Sequence, residues 1–96
     1  MAKLLIMQGK GLHLTFDNGW TLSIQIGPGN YGDNYDMSSS AYYEQRIYQA
    51  NLESTQAEIA MWKQGGDMVQ FPEGDTVRGY VPINEILDLI NEVRAR

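Results

Sequence analysis

Two short alternating stretches flank Asp17-Asn18-Gly19, and this feature most limits what the chain can become. Leu12, Leu14 and Phe16 fall on one side of the first stretch, with His13 and Thr15 on the other. Trp20, Leu22, Ile24 and Ile26 repeat the pattern after the turn. Period two marks a half-buried strand. An Asp or Asn before Gly between two such runs marks a hairpin, because the turn needs a residue with positive φ. An antiparallel hairpin with one apolar face is therefore expected, and it requires something to cover that face.

The C-terminus supplies the cover. Ile83, Ile86, Leu87, Ile90 and Val93 recur at helical spacing, with Asn84, Glu85, Asp88, Asn91 and Glu92 between them. Pro82 suits a first helical position, where its missing N–H costs nothing. Arg94 and Arg96 suit the negative end of the helix dipole. Before the helix, residues 57–62 alternate, with Ile59 and Met61 on one side and Glu58, Ala60 and Trp62 on the other. Gly65-Gly66-Asp67 turns the chain, residues 68–71 return antiparallel, Pro72-Glu73-Gly74-Asp75 turns it again, and residues 77–81 form a short edge strand. Residues 3–7 read as a buried strand or an N-terminal arm. Tyr43, Ile47 and Ala50 favour a short middle helix over residues 41–50, while the tyrosine-rich content would also suit a strand. The expected fold is one α+β domain spanning residues 1–96: an antiparallel sheet of four to five strands, built from two hairpins, packed against a C-terminal amphipathic helix.

Composition narrows the function classes. The chain has 96 residues and no cysteine, which excludes disulfides, thiolate metal sites and cysteine nucleophiles. A domain this small without staples gains from burying more surface by association, so a homo-oligomer is expected. The net charge is −5 and the seven basic residues form no run, so direct binding to nucleic-acid phosphates is disfavoured. No apolar run approaches the ~20 residues of a membrane span, and Leu4-Leu5-Ile6-Met7 is too short for a signal-peptide core. A cytoplasmic protein with no membrane association is the expectation.

Residues 27–36, GPGNYGDNYD, carry the candidate site. Gly27, Gly29 and Gly32 formally match G-x-G-x-x-G, but no βαβ unit surrounds them and Asp33 and Asp36 would repel a phosphate, so no dinucleotide cofactor is assigned. The same glycines let backbone groups approach a partner, Asn30 and Asn34 offer amides, and Tyr31 and Tyr35 offer ring faces. Asp33 is counted with them, and Trp20, Trp62 and Tyr80 would complete an aromatic wall if the fold gathers them. The competing reading is a structural loop whose tyrosines cover a sheet edge; long loops in compact domains are usually functional or disordered. Asp33 and Asp36 do not have the spacing of a calcium loop, and no metal site is assigned. His13 is the only histidine and has no nucleophile identifiable by motif, so no catalytic residue is assigned and the chain is expected not to be an enzyme.

Phe16-Asp17-Asn18-Gly19-Trp20, Gly29-Asn30-Tyr31, the run AEIAMW at residues 57–62 and the run GDTVRGY at residues 74–80 together resemble a family of small proteins encoded by bacteriophages and prophages. The stretch from residue 37 to 54 is longer here than in that pattern. The family has no assigned activity, so the resemblance implies no catalytic residues. It implies a viral accessory protein in the host cytoplasm that binds and blocks a host factor, plausibly a component of host defence. Two alternatives go with it: a sponge that sequesters a nucleotide immune signal at an oligomer interface, and a virion structural or assembly component. The sponge would need positive charge near the loop, from Arg46, Lys63 or Arg78.

Overall fold

The structure is a computed structural model and describes residues 1–38 and 52–96. The described elements are β1 (Lys3–Met7), β2 (Gly11–Thr15), β3 (Trp20–Gln25), a 3-10 turn (Tyr35–Ser38), β4 (Gln56–Lys63), β5 (Arg78–Pro82) and helix α1 (Ile83–Arg94). The five strands form one antiparallel sheet in the order β1-β2-β3-β4-β5. The expected α+β architecture is the one observed. The middle helix expected over residues 41–50 lies outside the described residues.

Each turn follows from its residues. At Phe16-Asp17-Asn18-Gly19-Trp20, the Gly19 N–H donates to the Phe16 carbonyl and the Phe16 N–H to the Trp20 carbonyl, at 3.0 and 2.8 Å. Gly19 has φ +85°, the left-handed residue that closes a three-residue hairpin loop. Phe71-Pro72-Glu73-Gly74-Asp75 repeats this bonding at 2.8 Å for both contacts, with Gly74 at φ +94°. The two turns share a phenylalanine first and a glycine fourth.

The register sorts the side chains. Leu22 opposes Met61 and Ile24 opposes Ile59, so the apolar residues of β3 and β4 share the face that α1 covers. Leu22, Ile59, Val81 and Val93 are almost wholly buried there, joined by Ala57, Met61, Phe71 and Ile86. Burying each large aliphatic contributes roughly 1.5–3 kcal/mol. The opposite face alternates in Thr15, Thr21, Ser23, Glu58 and Trp62.

Four expectations are corrected. Residues 68–71 do not form a strand. Only Met68 bridges Trp62, and the Val69 N–H donates to the Met61 carbonyl, before the Phe71–Asp75 turn diverts the backbone. The run at residues 3–7 is a strand, but an exposed edge strand and not a buried one. The helix faces the core with Ile86, Leu89, Ile90 and Val93, while Leu87 and Ile83 are exposed, so its apolar stripe is rotated towards Leu89. Pro82 ends β5 and precedes the helix at φ −59°, ψ 146°, one position earlier than expected.

The far end of α1 is tied to the first hairpin. The Asn18 side-chain amide donates to the carbonyls of Val93, Arg94 and Arg96 at 2.8, 3.3 and 3.2 Å, and its Oδ1 accepts the Trp20 N–H at 3.0 Å. The last carbonyls of a helix lack intrahelical partners, and Asn18 supplies donors to them. The Arg96 guanidinium lies 4.6 Å from the Trp20 ring centroid and pairs with Glu92 at 3.2 Å. Asn18→Ala is expected to lower stability by about 1–2 kcal/mol in urea unfolding. Asn18→Asp should cost more than alanine, because it keeps the acceptor for Trp20 but places a carboxylate against carbonyls at the negative helix end. Equal losses would rule out this electrostatic account of the tie.

Candidate functional site

Residues 27–36 fold as a pinned loop. Gly27-Pro28-Gly29-Asn30 is a turn closed by the Asn30 N–H on the Gly27 carbonyl at 3.1 Å, with Gly29 at φ +79°. Proline second and glycine third are the residues this turn type demands. Asn34 is buried, and its amide donates to the carbonyls of Ile26 and Glu53 at 2.8 and 3.0 Å. Asp33 Oδ2 accepts from the Thr55 backbone N–H and hydroxyl at 2.7 and 2.8 Å. Those bonds, the backbone one first, hold the Asp33 carboxyl below its ordinary value of 3.8. Asn34 and Asp33 therefore build the loop.

The middle of the loop is clamped on a β-bulge. The pairing Ala57 with Val81 and Ile59 with Arg78 leaves one extra residue in β5, at Gly79 and Tyr80. Tyr80 has φ +55°, unusual for a bulky residue. Its N–H is released from the ladder and donates to the Tyr31 carbonyl at 2.9 Å. The Tyr31 N–H donates to Glu58 Oε2 at 2.9 Å, and the Asn30 amide reaches Glu58 Oε1 at 3.5 Å. Only glycine fits at position 79, since a Cβ there would collide with the Cβ of Tyr31.

This clamp gathers three tyrosines. Tyr31 and Tyr35 stack at 5.3 Å between centroids and 13° between planes, and Tyr80 lies 5.9 Å from Tyr31 at 31°. All three are exposed, at 46%, 39% and 52%. An exposed row of rings on a fixed backbone presents large apolar area at small ordering cost.

The tryptophans do not join it. Trp20 packs on the core side against Arg96. Trp62 faces the other side of the sheet, where His13 meets it edge-on at 5.2 Å. It lines a groove of about 580 Å³ with Lys3, Thr15, Thr21 and Gln64, at the opposite end of β4 from Glu58. Adjacent positions on paired strands point to opposite faces, and Trp62 pairs with Thr21, next to Trp20. Sequence reading missed Glu58, Thr55 and Gly79 as parts of the site. Glu58 was visible as a carboxylate on the polar side of an alternating strand; nothing local signalled the other two.

Among the described residues, no three His, Asp or Glu side chains gather as a metal site, and no helix is long and apolar enough to cross a membrane. No family model, curated protein or solved structure matches the chain.

The Asp33 anchor titrates. A carboxyl with a depressed folded value contributes its full stabilisation above its unfolded value and loses it as pH falls through the folded one. Asp33→Asn is therefore expected to lower the melting temperature near neutral pH, with the gap from wild type closing as pH drops well below 3.8. A gap that stays constant into strong acid would show that the charge is not what holds the loop.

Proposed function

We propose that this chain is a non-enzymatic binding protein that acts by occupying a partner protein through Tyr31, Tyr35 and Tyr80. The observation that carries this reading is the exposed tyrosine row, held by a bulge that forces Tyr80 into a left-handed conformation. Strain of this kind costs on the order of 1–3 kcal/mol and gathers at functional sites. The strained backbone turns the Tyr80 N–H to the Tyr31 carbonyl and leaves the Tyr80 ring half exposed beside Tyr31. The resemblance to small phage-encoded proteins makes the partner a host factor, with a defence component the first target to test. Asn30, beside Glu58 at the rim, is the polar group best placed to add a hydrogen bond.

Neither Arg78 nor Lys63 offers a nucleotide sponge a free positive charge at the loop, although Lys10, whose carbonyl accepts the Ile26 and Gly27 N–H groups, borders it. Arg78 is held by Glu73 at 2.8 Å and lies 5.5 Å from the Phe71 ring centroid. Lys63 sits across from Trp20, at the end of β4 remote from the loop. Arg46 lies outside the described residues.

Photo-crosslinking from positions 31, 35 and 80 in host cells tests the proposal. One partner of defined mass is expected from all three positions, and none from a control probe at the exposed Met68. Tyr31→Ala and Tyr80→Gly are expected to weaken that partner's binding at least tenfold, about 1.4 kcal/mol, while the thermal transition stays within a few degrees of wild type. Tyr80→Gly is the sharper variant because glycine accepts positive φ freely. Unchanged binding with either variant would remove the tyrosine row from the interface, and a bound mass of nucleotide size would support the sponge.

A further inference from the structure

Among the described residues, the edge strand β1 breaks the usual rules for a sheet edge. Natural edge strands are protected by charge, proline, bulges or a covering element. Here Leu4, Leu5 and Ile6 run consecutively on the edge at 55%, 52% and 67% exposure. Leu4 and Ile6 stand on one face of the edge and Leu5 on the other, so both sides of the strand are apolar and exposed. Lys3 is the strand's one charged residue.

The hydrogen bonding fixes which groups face out. The Phe16 N–H bonds the Trp20 carbonyl. Bonded and non-bonded pairs alternate along an antiparallel ladder, so Leu14 and Leu12 direct their backbone groups to β3. Thr15, His13 and Gly11 then direct theirs to β1, where they oppose Lys3, Leu5 and Met7. The N–H and C=O groups of Leu4 and Ile6 are left pointing outward from the sheet.

We infer that β1 pairs antiparallel with β1 of a second copy, centred on Leu5. Leu4 then exchanges both backbone bonds with Ile6 of the other copy, and Ile6 with its Leu4, so all four outward N–H and C=O groups of each strand are used. Leu5 meets its own counterpart in a non-hydrogen-bonded pair, where side chains lie closest. Lys3 falls opposite Met7 of the other copy, so no like charges meet. The edge is complementary to itself, the condition for an interface that closes as a two-fold dimer. The side chains agree with this choice. Leu4 and Ile6 lie on the same face as Leu14 and Leu12, beyond the reach of α1, which packs on β3 and β5. Pairing places Leu4 and Ile6 of each copy beside Ile6 and Leu4 of the other and extends that apolar face across the junction. A two-fold axis perpendicular to the sheet also puts both helices on one face of a ten-stranded sheet. The inference stands on β1 alone and is independent of the tyrosine reading.

Cysteine cross-linking of the full chain tests the register directly, since the sequence has no native cysteine. In a non-hydrogen-bonded pair the Cα atoms are about 4.5 Å apart, within the ~4.4–6.8 Å that a disulfide spans. Leu5→Cys is expected to form a covalent dimer quantitatively under mild oxidation, while Leu4→Cys, which does not face itself, remains uncrosslinked. Sedimentation should show a wild-type dimer. Leu5→Lys and Leu5→Glu should each be monomeric with an intact thermal transition, and a mixture of the two should re-associate. A wild-type protein that stays monomeric up to its highest soluble concentration overturns the inference. So does a dimer unaffected by Leu5→Lys, or cross-linking through Leu4→Cys with none through Leu5→Cys.

Discussion

The pairing of β3 with β4 is the constraint on which the other contacts depend. Its register sets Leu22 against Met61 and Ile24 against Ile59, which makes one face apolar enough to hold a helix. The same register sets Ser23 against Ala60 and Gln25 against Glu58 on the other face. A slip of one residue would exchange the two faces. It would push Glu58 under the helix and leave the Tyr31 N–H without its acceptor. Core formation and loop placement are therefore linked through β4, which gives Ala57, Ile59 and Met61 to the core and Glu58 to the loop.

The loop shows how a glycine-rich, polar segment can be rigid without secondary structure. Its side chains do the work of a ladder: Asn34 bonds backbone carbonyls before and after the loop, Asp33 caps the approach to β4, and Glu58 receives the loop's central N–H. Each of these polar groups is satisfied, and among the described residues no buried side-chain nitrogen or oxygen lacks a partner. The bulge in β5 then converts a lost ladder bond into the contact between the Tyr80 N–H and the Tyr31 carbonyl. The surface tyrosines inherit this rigidity, which lowers the ordering cost that an exposed aromatic would otherwise meet on binding.

Much of this was legible in the chain. The first hairpin followed from alternation around Asp17-Asn18-Gly19, and the helix from its apolar spacing. The helix face was misjudged because Ile83 and Leu87 fit the same spacing as Leu89 and Ile90; which stripe is buried depends on how α1 crosses β3 and β5, a tertiary matter. Residues 68–71 have strand-like composition, but Pro72 and Gly74 make a turn that bends the chain away. Tyr31 and Tyr35 were visible as a pair in one loop. Their meeting with Tyr80 was not, because it needs a one-residue bulge that periodicity does not encode. Asn18 was read only as a turn residue, since its second role as a partner for α1 lies 75 residues away along the chain.

That separation bears on the order in which the molecule assembles. The turns that join β1 to β2 and β2 to β3 close loops of a few residues, whereas the bond from Asn18 to Val93 closes nearly the whole chain. Closing a longer loop costs more entropy, and the helix has no face to dock on until β3 and β4 have paired. The latch at Asn18 can therefore close only once the sheet and the helix have met. Contacts absent from a folding transition state slow unfolding and leave the speed of folding largely unchanged. The FDNGW turn thus closes the first hairpin with its backbone and joins the two ends of the fold with one side chain.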